Sequence, residues 1–249
     1  MLRWLFALVL GYFAGLQTGY AEVWKMAAAE WPPYFCDRAC PENGAIGKAL
    51  RETLKKVSIE VEYTFFPWSR AIRETRAGRF QAFLPAWPQN CPDDFFFSDP
   101  LYISPVGLIE RKAKPAKIEV LADLKHYLVG VVQDYDYTKE FQDLMRKGTV
   151  RTQMVHVEHL NLKILANDRV DVIIMDLVNF NFYMKTSFQH YKDDLQANRF
   201  VIDKIPLGLC FPKGKGHDQH KKLREALKKA DAGRIVSAYI KQYAPQASP

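Results

Sequence analysis

The chain has 249 residues, 48% of them hydrophobic and 25% charged, and its formal net charge is +7. This composition is typical of a packed globular protein, and no run after residue 21 is long and apolar enough to predict a membrane span. The basic residues are scattered except for a lysine-rich cluster at residues 213–224, which we interpret as a solvated helix face, so we expect no nucleic-acid partner.

The first 21 residues have the three parts of a secretory signal peptide. Arg3 is a basic start, residues 4–16 are an apolar run, and Gly19 and Ala21 are small residues at the two positions that a signal peptidase reads. The alternative is a single N-terminal anchor helix, but the apolar run is short for a bilayer. We therefore expect a mature chain that begins at Glu22, is periplasmic and does not insert into the membrane.

The four cysteines fit an oxidising compartment. Cys36 and Cys40 are close enough to bridge within one loop, and we favour that pair; Cys91 and Cys210 then pair with each other or stay free. A zinc site is the alternative, but no histidine precedes His126 to complete it. We expect no metal and no cofactor.

The first half of the chain alternates between strand and helix patterns. Residues 59–64 alternate in polarity with the period of a half-buried strand, and Pro67 suits the first turn of a helix. The resulting β-α-β-α-β order predicts a partly parallel sheet with helices on its faces. Strands are predicted at Val23–Ala28, Ile59–Thr64, Ala82–Ala86 and Val106–Ile109, and helices at Gly44–Val57 and Trp68–Ala77.

The pattern then restarts, which predicts a second α/β unit of similar size. The chain returns through a strand at Leu207–Phe211 and ends in helices between His217 and Tyr243. Strands of the second unit are predicted at Leu128–Val132, Val150–Val155 and Val170–Met175, and helices at Tyr137–Arg146, Glu158–Ala166 and after Asp176.

Several motifs, in this order and spacing, resemble the bacterial extracellular solute-binding proteins of family 3, the amino-acid-type periplasmic binding proteins with the type II fold. They are Trp31–Tyr34 (WPPY), Pro67–Ala71 (PWSRA), Phe97–Tyr102 (FSDPLY), Leu128–Val132 (LVGVV), Asn161–Lys163 (NLK) and Asp168–Asp176 (DRVDVIIMD). The resemblance implies two α/β lobes joined by two hinge-crossing strands, with a ligand in the cleft. Residues 22–108 and 209–249 would form lobe 1 and residues 109–208 lobe 2, with crossings near 106–111 and 207–211.

The same resemblance implies a binding function with no catalysed reaction. A small polar ligand, either amino-acid-like or a cationic amine, would be captured by lobe closure. The membrane subunits of an ABC-type transporter would be the partners of a monomeric binding protein. Two alternatives stay open: an enzyme on the same scaffold that resembles cyclohexadienyl dehydratases, and a ligand sensor that docks on a membrane receptor.

This chain departs from the usual family pattern around the ligand. Typical members hold the ligand carboxylate with an arginine shortly before the Phe-Ser pair, but no arginine lies between Arg79 and Arg111. Asp176 matches the acid that holds the ligand amino group, although a helix cap is the alternative role. Asp134 and Asp136 stand where relatives carry small residues, and the alternative there is helix capping by Asp136.

Acidic and aromatic residues therefore dominate the candidate site, which favours a cation held by carboxylates and aromatic faces. Each aromatic residue is also a candidate for core packing, and Arg70 would either bind an acidic ligand group or pair with Glu74. The candidate ligand-binding residues are Glu30, Trp31, Tyr34, Trp68, Arg70, Trp87, Asp134, Tyr135, Asp136 and Asp176.

One histidine pair is a weaker candidate. His156 and His159 are three residues apart, a spacing that would place both on one helical face, with Glu158 pointing elsewhere. Since a metal needs a third ligand, we expect no metal there.

Overall fold

A computed structural model describes residues 22–133 and 135–244. The predicted signal peptide and Asp134 lie outside the described residues. Strands are β1 (Glu22–Ala28), β2 (Ile59–Phe65), β3 (Ala82–Ala86), β4 (Phe95–Phe97), β5 (Tyr102–Arg111), β6 (Leu128–Val132), β7 (Arg151–Val155), β8 (Val172–Asp176) and β9 (Leu195–Pro212). Helices are α1 (Gly44–Lys55), α2 (Trp68–Arg76), α3 (Lys139–Arg146), α4 (Glu158–Ala166), α5 (Leu177–Lys185), α6 (His217–Lys228) and α7 (Ala232–Tyr243).

The strands follow the order β2-β1-β3-β9-β5-β8-β6-β7, and β4 also pairs with β9. In the first lobe β1 lies parallel to β2 and β3, and in the second lobe β6 lies parallel to β7 and β8. Parallel neighbours need crossover connections, which the intervening helices supply. The two parallel groups are joined through the antiparallel pair β5 and β9.

Strand β9 passes from one lobe to the other. Its residues 195–207 pair with β5, and residues 208–212 pair with β3 and β4. Strand β5 pairs on its other side with β8 of the second lobe. These two strands are therefore the structural connection between the lobes; the exact lobe boundaries at 108/109 and 208/209 stay a prediction.

Burial explains why most strands could be predicted from the sequence. All five residues of β3 and of β8 are buried, as expected for strands covered on both faces by helices. Strand β2 exposes Glu60 and Glu62 on one face and alternates accordingly. The buried cluster continues across β5 and β9, from Phe211 in the first lobe to Ile174 in the second.

Two disulfides close within the first lobe. The predicted Cys36–Cys40 bridge is confirmed, and Cys91 pairs with Cys210; the Cα atoms lie 5.7 Å apart in both pairs. This separation suits a disulfide. The second bridge spans 119 residues of sequence and so encloses the chain that forms the second lobe.

Several element boundaries were predicted wrongly. β9 begins at Leu195, twelve residues before the predicted start. The missed first part alternates half-buried and exposed positions and carries many polar side chains, so it shows no continuous apolar run. β5 begins at Tyr102 instead of Val106, and the short strand β4 was missed. Helix α4 has the predicted bounds, Glu158–Ala166, so His156 precedes it and the helical face predicted to carry both His156 and His159 is wrong.

In the described part of the chain, no helix combines the length and apolar character that crossing a membrane requires. Residues 22–133 and 135–244 also contain no cluster of three or more histidine, cysteine, aspartate or glutamate side chains placed to hold a metal ion.

Candidate functional site

A cavity of about 810 Å³ lies between the two lobes. Walls from both lobes at an interface of this kind are typical of ligand sites. The first lobe contributes Ala29, Glu30, Trp31, Pro32, Ala39, Phe65, Phe66, Pro67, Trp68, Ser69, Pro85, Ala86, Trp87 and Asn90. The second lobe contributes Val132, Gln133, Tyr135, His156, Val157, Glu158, His159 and Tyr183.

The loop that carries Trp31 is held against the start of α1. The backbone N–H of Ala45 donates to the Pro33 carbonyl at 2.9 Å, and that of Ile46 donates to the Tyr34 carbonyl at 2.8 Å. The first N–H groups of a helix have no partner within the helix, so they need acceptors such as these two carbonyls. Gly44 has a φ of +82°, and a Cβ there would come within 2.6 Å of the Pro33 carbonyl oxygen, so the close approach requires glycine.

Aromatic rings line the cavity and connect the two lobes. Trp31 packs edge-on against Trp87 with ring centroids 5.4 Å apart, and Trp87 packs edge-on against Tyr135 of the second lobe at 6.2 Å. Trp68 is half-buried and packs edge-on against Phe83 at 5.3 Å. The Nε1 atom of Trp87 is buried and has no hydrogen-bond partner, so it is a free donor on a cavity-lining residue.

Glu158 is the buried carboxylate of the cavity wall. It is the first residue of α4, is 9% exposed, and its Oε2 accepts a hydrogen bond of 2.7 Å from Trp31 Nε1 in the other lobe. Burial, reinforced by the negative charge of Asp176, raises the pKa of Glu158 to about 8, against the opposing effect of the Trp31 hydrogen bond. At neutral pH this carboxyl is therefore mostly protonated.

Glu158 was missed from the sequence, where it was considered only as a third metal ligand beside His156 and His159. A helix start that follows a strand of a parallel sheet faces the edge where ligand crevices form. The position of Glu158 directly after the predicted strand ending at Val155 was the signal that could have identified it.

Asp176 does not line the cavity. It ends β8 and is fully buried, and its Oδ2 accepts hydrogen bonds from Tyr34 Oη at 3.0 Å and from Ser104 Oγ at 2.5 Å. Its Oδ1 accepts from the Asn179 backbone N–H at 2.7 Å and so caps α5. Burial raises the pKa of Asp176 to about 6, although these hydrogen bonds favour the charged form.

The structure therefore supports the capping alternative for Asp176 and gives Tyr34 the role of its partner. Tyr34 is fully buried and is not part of the cavity lining. A third contact joins the lobes nearby, because Asn179 Nδ2 donates to the Pro32 carbonyl. The Trp31–Tyr34 loop thus reaches Glu158, Asp176 and Asn179 across the lobe interface.

The remaining candidates lie at the rim or outside. Glu30 is exposed at the cavity edge, where its Oε1 accepts from the Asp37 backbone N–H at 3.0 Å. Arg70 is exposed and does not line the cavity. Its Nε lies 3.7 Å from Glu74 Oε1, which is the ion pair that the alternative interpretation predicted. Its guanidinium also lies 4.9 Å from the centroid of the Phe66 ring.

The capping role suggested for Asp136 is wrong. Thr138 immediately precedes α3 and its side chain accepts from the Phe141 backbone N–H, so Thr138 is the cap. Asp136 is exposed and accepts a hydrogen bond of 3.3 Å from Gln142 Nε2. Tyr135 from the same turn is half-buried and does line the cavity.

Comparison with known proteins identifies the fold. No model of a known protein family matches the chain, and no curated protein sequence matches it. The ligand-binding core of GluR0 from Nostoc punctiforme, solved with L-glutamate, is similar with a TM-score of 0.68 at 14% sequence identity, over 89% of this chain and 99% of that one. An ancestral arginine-binding protein bound to arginine has a TM-score of 0.71 at 17% identity, over 90% and 99%.

A histidine kinase sensor domain with similarity to periplasmic binding proteins has a TM-score of 0.73 at 16% identity, over 92% of this chain and 99% of that chain. Likeness at these identities establishes the architecture. The predicted two-lobed type II fold of periplasmic binding proteins is confirmed, and membership of family 3 stays a prediction.

Proposed function

We propose that the protein is a periplasmic solute-binding protein that captures a small polar ligand, amino-acid-like or a cationic amine, by closure of its two lobes. The observation that carries this proposal is the interlobe cavity of about 810 Å³, to which both lobes contribute walls. A volume of this order suits a small molecule.

Hydrogen bonds between the two lobes support a closing motion. Trp31 reaches Glu158 and Tyr34 reaches Asp176, over sequence separations of 127 and 142 residues. The connection through β5 and β9 is a pair of strands on which the lobes can rotate, as in hinge closure of two-domain proteins. Closure would remove water from the ligand and strengthen its polar contacts.

An enzyme on the same scaffold is the second candidate. A dehydratase acting on a dicarboxylate would need a cavity acid and cationic side chains that hold both carboxylates. Glu158 with its raised pKa would supply the acid. Among the described residues that line the cavity there is no lysine or arginine to hold a carboxylate, and this favours binding without chemistry.

We further propose delivery to the membrane subunits of an ABC-type transporter by a monomeric protein, with receptor-linked sensing as the alternative. Uptake of the identified ligand by cells that lack the protein separates the two, because a transport role predicts lost uptake. A sensing role predicts normal uptake and a lost transcriptional response.

Native mass spectrometry of the purified chain, followed by calorimetry with any co-purified molecule, tests binding directly. Small-angle X-ray scattering should show a smaller radius of gyration when the ligand is present. Absence of any bound or binding molecule, together with an unchanged scattering profile, would contradict the proposal. Turnover of a prephenate-like dicarboxylate by the purified protein would favour the enzyme.

A further inference from the structure

We propose that the interlobe cavity takes a small organic cation, an ammonium or guanidinium compound, and that Glu158 is the counter-ion that selects it. This inference rests on the proposed binding function and names the ligand class of the same site. It assigns the charge recognition to Glu158 and leaves Asp176 a structural role.

The charge of the lining supports a cation. Within residues 22–133 and 135–244, Glu30 and Glu158 line the cavity, and no lysine or arginine does, although the whole chain carries a formal net charge of +7. Burial, together with the charge of Lys163, lowers the pKa of His159, so this lining histidine is neutral at pH 7. An anionic ligand would therefore find no lysine or arginine among the described lining residues to neutralise its charge.

The buried carboxyl of Glu158 needs a positively charged partner in order to ionise. A carboxylate that is 9% exposed is costly to ionise unless a cation or several donors face it. Trp31 Nε1 supplies one donor, at 2.7 Å. A ligand ammonium or guanidinium group in the cavity would supply the missing positive charge and a charge-assisted hydrogen bond.

Asp176 is poorly placed to do the same. Tyr34 and Ser104 occupy its Oδ2, the Asn179 backbone N–H occupies its Oδ1, and its side chain is fully buried outside the lining. A ligand amino group would have to displace these partners. The carboxylate that the cavity presents is that of Glu158.

The walls add a second interaction that favours cations. Trp31, Trp68, Trp87 and Tyr135 line the same cavity, and the face of each ring attracts positive charge. Trp31 directs its N–H edge at Glu158, so we assign the cation–π contribution to the other three rings. Charge and aromatic faces thus select the same ligand class.

Isothermal titration calorimetry with matched probes tests the inference. Choline, putrescine and agmatine present three kinds of cation, 3,3-dimethylbutanol is the neutral isostere of choline, and L-glutamate and succinate carry carboxylates. We expect at least one cation to bind and its neutral or anionic counterparts to bind at least tenfold more weakly. Glu158→Gln should weaken the cation by about tenfold to one-hundredfold, the range for a hydrogen bond to a charged group.

Two variants control for structural damage. Glu158→Asp keeps the charge and should retain the preference for choline over its neutral isostere, whereas Glu225→Gln removes an exposed carboxylate outside the cavity and should leave binding unchanged. Circular dichroism confirms that each variant is folded.

The outcomes separate this inference from the proposed function. Binding of a neutral or anionic probe as tight as that of every cation, or an unaltered cation affinity in Glu158→Gln, would overturn the inference and leave a solute-binding protein. If no probe binds and native mass spectrometry detects no co-purified molecule, both the inference and the proposed function are wrong.

Discussion

Replacing Glu158 by glutamine should remove a pH-dependent destabilisation of the ligand-free protein. Glutamine keeps the volume of the side chain and an acceptor for Trp31 Nε1. The folded protein holds the Glu158 proton more tightly than the unfolded chain, since the pKa is about 8 against an ordinary value of 4.5. The free energy of unfolding therefore falls as pH rises from about 4.5 to about 8, and Glu158 adds no further slope outside that window.

The size of this effect follows from the two pKa values. At about 1.4 kcal/mol per tenfold change in proton affinity, a pKa of about 8 in place of 4.5 corresponds to about 5 kcal/mol. Relaxation of the lobe interface makes this an upper limit. Asp176, with a pKa of about 6, contributes in the same direction at lower pH in both proteins. The difference between the two proteins therefore reports the burial of Glu158 together with its repulsion by the Asp176 charge.

Urea denaturation followed by tryptophan fluorescence, at each pH from 5 to 9, measures the difference between Glu158→Gln and wild type. We expect a small difference at pH 5 and a variant that is more stable by as much as about 5 kcal/mol at pH 9. The matched control is Glu225→Gln, because Lys228 lowers the pKa of that exposed carboxyl and moves its titration below this range. Parallel profiles for Glu158→Gln and wild type would refute the reasoning.

Three further predictions concern the neighbouring structure. Tyr34→Phe removes a hydrogen-bond donor to Asp176, so the pKa of Asp176 should rise above about 6, as measured by carbon-13 NMR titration. The variant should also lose about 1–3 kcal/mol of stability. An unchanged carboxyl titration would contradict this. The double variant Cys91→Ser/Cys210→Ser opens a 119-residue loop and should lose about 2–5 kcal/mol in urea unfolding. Dithiothreitol also reduces Cys36–Cys40, so it should lower the stability of the wild type by at least as much. Trp68→Leu should weaken the tightest cation about two- to thirtyfold by calorimetry without changing the affinity for a neutral probe, which distinguishes a cation–π contact from lost packing.

Much of the fold could be predicted from local patterns. The bounds of β3 and β6 are those predicted, because strands buried on both faces carry continuous apolar runs that one sequence displays. The first part of β9 was missed because its polar residues make a strand only through pairing with β5. That pairing joins residues between 84 (Arg111 and Leu195) and 105 (Tyr102 and Leu207) positions apart along the chain, so it leaves no local signal.

The candidate site was predictable in its chemical character and not in its arrangement. Trp31, Trp68, Trp87 and Tyr135 were chosen from the sequence and do line the cavity, since motif position and residue type place them at the ends of strands and helices. Glu158 was passed over for the site, because a helical face cannot be assigned to a residue at the first position of a helix without its neighbours.

The sequence by itself determined the alternation of strands and helices, the Cys36–Cys40 bridge, and the aromatic and acidic nature of the candidate residues, because these depend on residue type and short spacing. Tertiary structure alone decided that Cys91 joins Cys210, that Asp176 caps a helix, and that Glu158 faces the cavity. The physical reason is that burial, proton affinity and hydrogen bonding are set by neighbours far away in the chain: Trp31 lies 127 residues from the glutamate to which it donates, and Tyr34 lies 142 residues from its aspartate.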